Sequence, residues 1–229
     1  MAKLIQQTNS VLVNTKSQLN PPLDAINLMQ KMSQAKFIET AEVHISLNLN
    51  PKYADQQLRS SVLLPKGLGK IIKIAVITKG EKVSEALSAG AAMAGSDDLV
   101  ASIANGQLNF DKLIATPDAM PIIAKLGRIL GPRGLMPSPK AGTVTSDLAT
   151  AIQDFKKGKI EYKIDKTGIV HLPFGKINFS NNDLLLNLQA IISSVSKNRP
   201  AGVKGKFWKS IHICSTMGSS IAIDITSLL

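Results

Sequence analysis

Ile71-Ile72-Lys73-Ile74-Ala75-Val76-Ile77 divides the chain. All but Lys73 are apolar, and a nearly continuous apolar run is the mark of a strand buried on both faces, as in parallel sheets covered by helices. The residues beyond it fit that setting. An alanine-rich stretch reads as a helix over 82–94, with a second helix over 97–105. Leu113-Ile114-Ala115 is another buried strand, a further helix starts after Pro117-Asp118, and one more spans 146–157 and closes at Gly158. Strands alternating with helices predict a Rossmann-like parallel α/β arrangement.

Outside this segment the texture differs. Pro21-Pro22 open a helix carrying Leu23, Ile26, Met29 and Met32. Val43, Ile45, Leu47 and Leu49 alternate with polar residues, the pattern of a half-buried strand, and a short apolar run comes next at Val62 to Leu64. After Gly158, alternating runs over 159–164 and 169–174 meet at Lys166-Thr167-Gly168, a hairpin signal. Asn181-Asn182-Asp183 caps a helix bearing Leu184, Leu188, Ile191, Ile192 and Val195. Strands at 208–215 and 221–225 end the chain, joined by a turn around Met217-Gly218. Neither flank is a stable domain alone. The expectation is therefore α+β and α/β in two domains: residues 1–66 with 159–229 form a discontinuous α+β domain, and 67–158 are inserted into it.

Charge points to the partner. The 229 residues hold 27 Lys and Arg against 16 Asp and Glu, a net +11, and such a surface attracts anions. The expected outer domain carries +8 of this, from sixteen cations and eight anions. No acidic residue lies between Asp183 and Asp224, where Lys197, Arg199, Lys204, Lys206 and Lys209 fall, or between Asp118 and Asp147, where Lys125, Arg128, Arg133 and Lys140 fall. Long acid-free basic tracts read as nucleic-acid surface; neither has the form of a basic amphipathic helix for a membrane. Aromatic residues, at 4%, are too few for a surface of stacking platforms. Cys214 stands alone, which excludes an internal disulfide and a multi-cysteine zinc site and fits a reducing compartment. No apolar run approaches the ~18 residues of a membrane span, and the first twenty residues lack the features of a secretory or transit peptide, so a soluble protein is expected.

Catalytic chemistry finds little support. Pro65-Lys66-Gly67-Leu68-Gly69-Lys70-Ile71 has neither phosphate-loop spacing and precedes a strand rather than a helix. That argues against a nucleotide-dependent enzyme and for a loop that crosses between domains. His44, His171 and His212 each sit in an alternating strand with no second ligand or nucleophile close in sequence, and read as polar strand residues. Cys214 reads as a small packed residue, and Asp97-Asp98 as a helix cap.

Three clusters carry more. Lys36-Phe37-Ile38-Glu39-Thr40 puts an aromatic beside a cation where a helix gives way to a strand, a place to stack on a nucleotide; core packing of Phe37 is the alternative. Ser215-Thr216-Met217-Gly218 is a turn of hydroxyls and glycine able to approach a ribose–phosphate chain closely, or simply a glycine turn. Leu126-Gly127-Arg128-Ile129-Leu130-Gly131-Pro132-Arg133-Gly134-Leu135-Met136-Pro137-Ser138-Pro139-Lys140 reads as a stiff, irregular basic loop, poor material for a core but suited to presenting cations.

In this order the clusters resemble the large-subunit ribosomal protein L1 family. The third, continuing through Ala141-Gly142-Thr143-Val144, is the most distinctive, supported by Asp55-Gln56-Gln57-Leu58-Arg59, Leu64-Pro65-Lys66-Gly67, Ala115-Thr116-Pro117-Asp118 and Thr167-Gly168-Ile169-Val170-His171. The stretches from Asn50 to Asp55 and from Asn198 to Trp208 are similar to the cyanobacterial and plastid branch. The resemblance implies a non-enzymatic structural constituent of the large ribosomal subunit, monomeric within the ribosome, without cofactor, metal, membrane or small-molecule substrate. Its discontinuous domain would bind 23S-type rRNA at the mobile stalk beside the tRNA exit site. The family assists release of deacylated tRNA, a transient partner, and bacterial members can repress translation of their own mRNA. Carried over by motif, the RNA-binding residues are Lys36, Phe37, Glu39, Thr40, Lys166, Thr167, Gly168, His171, Ser215, Thr216, Met217 and Gly218, with Arg128, Arg133 and Lys140 on a secondary surface. The location implied is plastid (chloroplast) stroma or a cyanobacterial cytoplasm. Two departures stand out: the first twenty residues hold only Lys3 and Lys16 where the family often opens with a basic stretch, and Ser60-Ser61 replaces a small glycine- or threonine-containing step. The insert is expected to swing on crossings near 65–69 and Gly158, with ordinary surface loops as the alternative.

Overall fold

The computed structural model describes residues 19–80, 82–200, 202–203 and 205–227. The weakly basic opening stretch up to residue 18 and Lys204 of the longer basic tract lie outside them. In chain order the elements are α1 (Pro22–Met32), β1 (Thr40–Leu47), β2 (Arg59–Leu63), β3 (Ile74–Ile77), α2 (Lys82–Ser88), β4 (Met93–Gly95), α3 (Asp97–Ala104) and β5 (Lys112–Ala115). They continue as α4 (Met120–Ala124), α5 (Gly127–Leu130), α6 (Leu148–Lys157), β6 (Lys159–Lys163), β7 (Ile169–Lys176), α7 (Asn181–Lys197), β8 (Trp208–Ser215) and β9 (Ile221–Ile223). Backbone contacts divide the chain into two compact units, Met1–Gly69 with Ile160–Leu229, and Lys70–Lys159.

The first unit is built on a four-stranded antiparallel sheet ordered β7-β1-β8-β9. Side chains in a strand point alternately to opposite faces, so the alternation along β1 buries Ala41, Val43, Ile45 and Leu47 on one face. Helices α1 and α7 pack there, bringing Ile26, Met29, Leu188 and Ile191 against the strands. The other face carries Thr40, Glu42, His44 and Ser46 from β1 and stays partly open. Asn187 of α7 is fully buried yet satisfied: its amide donates to the carbonyls of Gly67 (3.0 Å) and Phe174 (2.8 Å), and its side-chain oxygen accepts from the Lys66 N–H (3.0 Å). That pins the segment after β2 to the sheet.

Two sequence expectations change in this unit. The strands flanking Lys166-Thr167-Gly168 are not a hairpin: β6 pairs with β2 in a separate two-stranded sheet, and β7 joins β1. Between the two segments, Ile164 and Val170 form an isolated bridge and Asp165 N–H donates to the Ile169 carbonyl at 2.9 Å. The Asp165 carboxylate shapes the turn between them, accepting from the N–H groups of Thr167 (2.9 Å) and Ile169 (2.8 Å). The cap of α7 is Ser180, whose hydroxyl accepts from the Asp183 N–H, while Asn181, Asn182 and Asp183 already lie in the helix.

The second unit holds a parallel sheet ordered β4-β3-β5. As the apolar run implies, β3 is buried throughout: Ala75 and Ile77 face Ile103, Phe110 and Ile123 on one side, and Ile74 and Val76 face Ile152 and Phe155 on the other. The strand begins only at Ile74, and Ile71 is 94% exposed. The helix expected to Ala94 stops at Ser88, where Gly90 (φ +91°) turns the chain and residues 93–95 pair with β3 as a strand; a glycine in the left-handed region ends a helix, and tertiary pairing outweighs alanine's propensity. Asp97 and Asp98 occupy the first turn of α3, behind Ser96 at the cap position, where negative charge suits the helix dipole. The glycine- and proline-rich stretch over 126–140 is not simply a loop outside the core. It contains α5 and a 3-10 turn, Leu126 and Leu130 are buried, and Leu135 and Met136 pack against them.

Candidate nucleic-acid interface

Strand β1 begins beside the end of β8, with Ala41 opposite Ser215. This antiparallel register carries residues 36–40 and 215–218 to the same end of the sheet's two central strands, although some 175 positions separate them in sequence. The junction is cross-bonded. Thr40 N–H donates to Thr216 Oγ1 and Thr216 N–H to the Thr40 carbonyl, both at 3.1 Å, and Lys176 Nζ reaches Thr40 Oγ1 at 2.9 Å.

Glu39 ties the two segments together from inside. It is 1% exposed, and its carboxylate accepts from Ser33 Oγ at 2.5 Å, Met217 N–H at 2.9 Å and Ala35 N–H at 3.4 Å. Burial alone raises the pKa of such a carboxyl. The donors from Ser33, Met217 and Ala35 outweigh burial and hold it at about 2. Ser215 Oγ is buried without a hydrogen bond of acceptable geometry among the described residues, yet lies near enough to help keep the carboxylate ionised. Gly218 sits close against this residue: a Cβ on it would fall 2.3 Å from Ser215 Oγ, so a larger residue requires the Ser215 side chain to move.

With this brace in place, large apolar side chains are left outside. Phe37 is 54% exposed and Met217 74%, and both line an open cavity of about 420 Å³ with Met32, Glu39 and Gly218. Core packing of Phe37 is thereby excluded. Lys36 and Thr216 are exposed beside them, whereas Glu39 and Ser215 are buried, Glu39 at the wall of the cavity. Ser33 and Lys176 were missed by the sequence reading, because no local pattern marks a donor whose acceptor lies in another element.

The remaining candidates lie elsewhere. Lys166, Thr167 and Gly168 form the turn at the far end of β1, where Gly168 (φ +85°) offers its carbonyl to Leu47 N–H. That is seven residues from Thr40, about 23 Å at the usual rise of a strand. Lys166 and Thr167 are exposed, and Gly168 is buried against the Leu47 and Leu49 carbonyls. The Asp165 carboxyl beneath them is held at about 2, chiefly by the Thr167 hydroxyl. His171 lies midway along the sheet, exposed and bonded to His44. Arg128, Arg133 and Lys140 are exposed in the second unit, none paired with an acidic group among the described residues.

The profile of the Ribosomal protein L1p/L10e family matches residues 29–219. The chain belongs to this family. It is 62% identical over 222 residues to the large ribosomal subunit protein uL1c of Pyropia yezoensis, covering 95% of this chain and 97% of that one. The uL1c protein of Guillardia theta is 61% identical over 226 residues, 99% of this chain and 97% of its own length. The uL1 protein of Prochlorococcus marinus (strain MIT 9303) is 54% identical over 228 residues, 100% and 97%. The resemblance to the plastid and cyanobacterial branch of the ribosomal protein L1 family therefore holds along the whole chain. A member of this family is a structural constituent of the large ribosomal subunit and not an enzyme.

Proposed function

We propose that the chain binds 23S-type rRNA at the mobile stalk beside the tRNA exit site, through the surface made by residues 36–40 and 215–218. The observation that carries this reading is the buried Glu39 carboxylate bonded to Met217 N–H, which locks the two segments together while Phe37 and Met217 stay exposed. Splayed RNA bases offer flat apolar faces to such side chains, and 2′-hydroxyls and phosphates offer partners to Thr216 and Lys36. In this reading the unit containing the four-stranded sheet is the discontinuous RNA-binding domain. The inserted unit adds a secondary surface through Arg128, Arg133 and Lys140, and the turn at Lys166 and Thr167 adds backbone contacts. Assistance in releasing deacylated tRNA and repression of its own mRNA extend the same activity, in the plastid stroma or, alternatively, a cyanobacterial cytoplasm.

Filter binding to a stalk rRNA fragment at fixed salt tests the site. Met217→Asp and Gly218→Val should each weaken binding at least tenfold, and Lys125→Ala less than twofold. Equal losses from all three refute a specific site. Pelleting with ribosomes separates a subunit protein from a dedicated messenger repressor, which stays in the supernatant.

A further inference from the structure

On the open face of the first unit's sheet, strand register sets His44 between His171 of β7 and His212 of β8. His44 Nε2 lies 3.1 Å from Cys214 Sγ, and its Nδ1 lies 2.8 Å from His171 Nδ1. His171 Nε2 faces Asp165 Oδ2 at 3.6 Å. Glu42 completes a cluster with His44 and Cys214 in which one donor atom from each lies within 4.8 Å of the others. None of these groups is adjacent in sequence to another.

The protons have one arrangement that suits every neighbour. The ionised Asp165 favours N–H on His171 Nε2, which leaves His171 Nδ1 to accept from His44 Nδ1–H. His44 Nε2 then presents its lone pair to the Cys214 thiol. A metal ion between Nε2 and Sγ takes the place of that one proton, which leaves to solvent. Zinc bonds of about 2.0–2.1 Å to nitrogen and about 2.3 Å to sulfur, at a tetrahedral angle, separate the two atoms by about 3.5 Å. The pair at 3.1 Å must open by only about 0.4 Å, within the reach of small side-chain rotations. Behind the ligand, the chain from His44 through His171 to Asp165 is the outer-sphere support that orients a metal-bound imidazole.

We propose that this sheet face is a binding site for a borderline-soft divalent cation of the zinc class, held by Cys214 Sγ, His44 Nε2 and the Glu42 carboxylate. A thiolate and an imidazole select such an ion over magnesium or calcium. All three side chains are half-exposed, so water fills the fourth position. Occupation ties β1 to β8 one residue before Ser215, next to the proposed RNA surface but independent of whether that surface binds RNA.

Because the chain has one cysteine, any thiol signal reports on Cys214. Cobalt(II) titrated into the reduced full chain should give a thiolate-to-cobalt charge-transfer band that saturates at one equivalent and is displaced by zinc. Cys214→Ser should abolish the band, and His44→Gln or Glu42→Gln should weaken cobalt binding at least tenfold. A band whose affinity is unchanged in His44→Gln overturns the site. Should a variant fail to fold, alkylation of the wild-type chain decides the matter: one equivalent of zinc, but not magnesium, should slow modification of Cys214 at least tenfold. Unchanged alkylation with no cobalt band refutes the proposal.

Discussion

Replacing Glu39 with glutamine keeps the shape of the brace and removes its charge. A carboxyl held at about 2 rather than its ordinary 4.5 contributes at most ~3.5 kcal/mol at neutral pH, at about 1.4 kcal/mol per pH unit. Glu39 also lines an open cavity, where solvent screens part of that energy, so Glu39→Gln should cost the first unit ~1–2 kcal/mol near pH 7. The pKa is depressed in the folded state, so this stability is fully present above about pH 4.5 and is lost as pH falls toward 2. The gap between wild type and Glu39→Gln should therefore hold steady at neutral pH and narrow between about pH 5 and about pH 2.5. Contributions from other carboxylates are shared by the two chains and cancel. The assay is urea unfolding monitored by the fluorescence of Trp208, the single tryptophan, which lies buried in the first unit and reports on its unfolding. A gap that stays constant across that pH range refutes the charge-assisted brace. So does a gap that widens as the medium is acidified.

Asn187→Leu should destabilise the same unit by ~2–4 kcal/mol, since three backbone groups lose their partner while remaining near the core; the urea midpoint read by Trp208 checks this. Replacing Arg128, Arg133 and Lys140 together by alanine should lower the slope of log affinity for rRNA against log salt by about 2–3, at roughly one counterion per phosphate contact. An unchanged slope would remove the secondary surface from the interface.

Local chemistry made much of the fold legible. The apolar run ending at Ile77 and the alternation along 40–47 are short-range patterns that burial imposes directly on composition. Helix α6 could be read to its end because Gly158, in the left-handed conformation at φ +112°, closes it. The failures arose where distant pairing competed with local propensity. Residues 93–95 left a helix-favouring context to pair with β3, and the strands around Asp165 were drawn into different sheets.

The sequence by itself determined the opposite textures of the two segments, the basic character of the chain and the two clusters at 36–40 and 215–218 that mark the family. Tertiary structure decided what those clusters are. Antiparallel pairing of β1 with β8 brings them together, and burial then sorts them into Phe37 and Met217, left outside, and Glu39 and Ser215, turned inward. The same pairing sets Cys214 against His44. Hydrogen bonds and ligand pairs between residues more than a hundred positions apart leave no periodicity in sequence, because only the strand register places their atoms within reach.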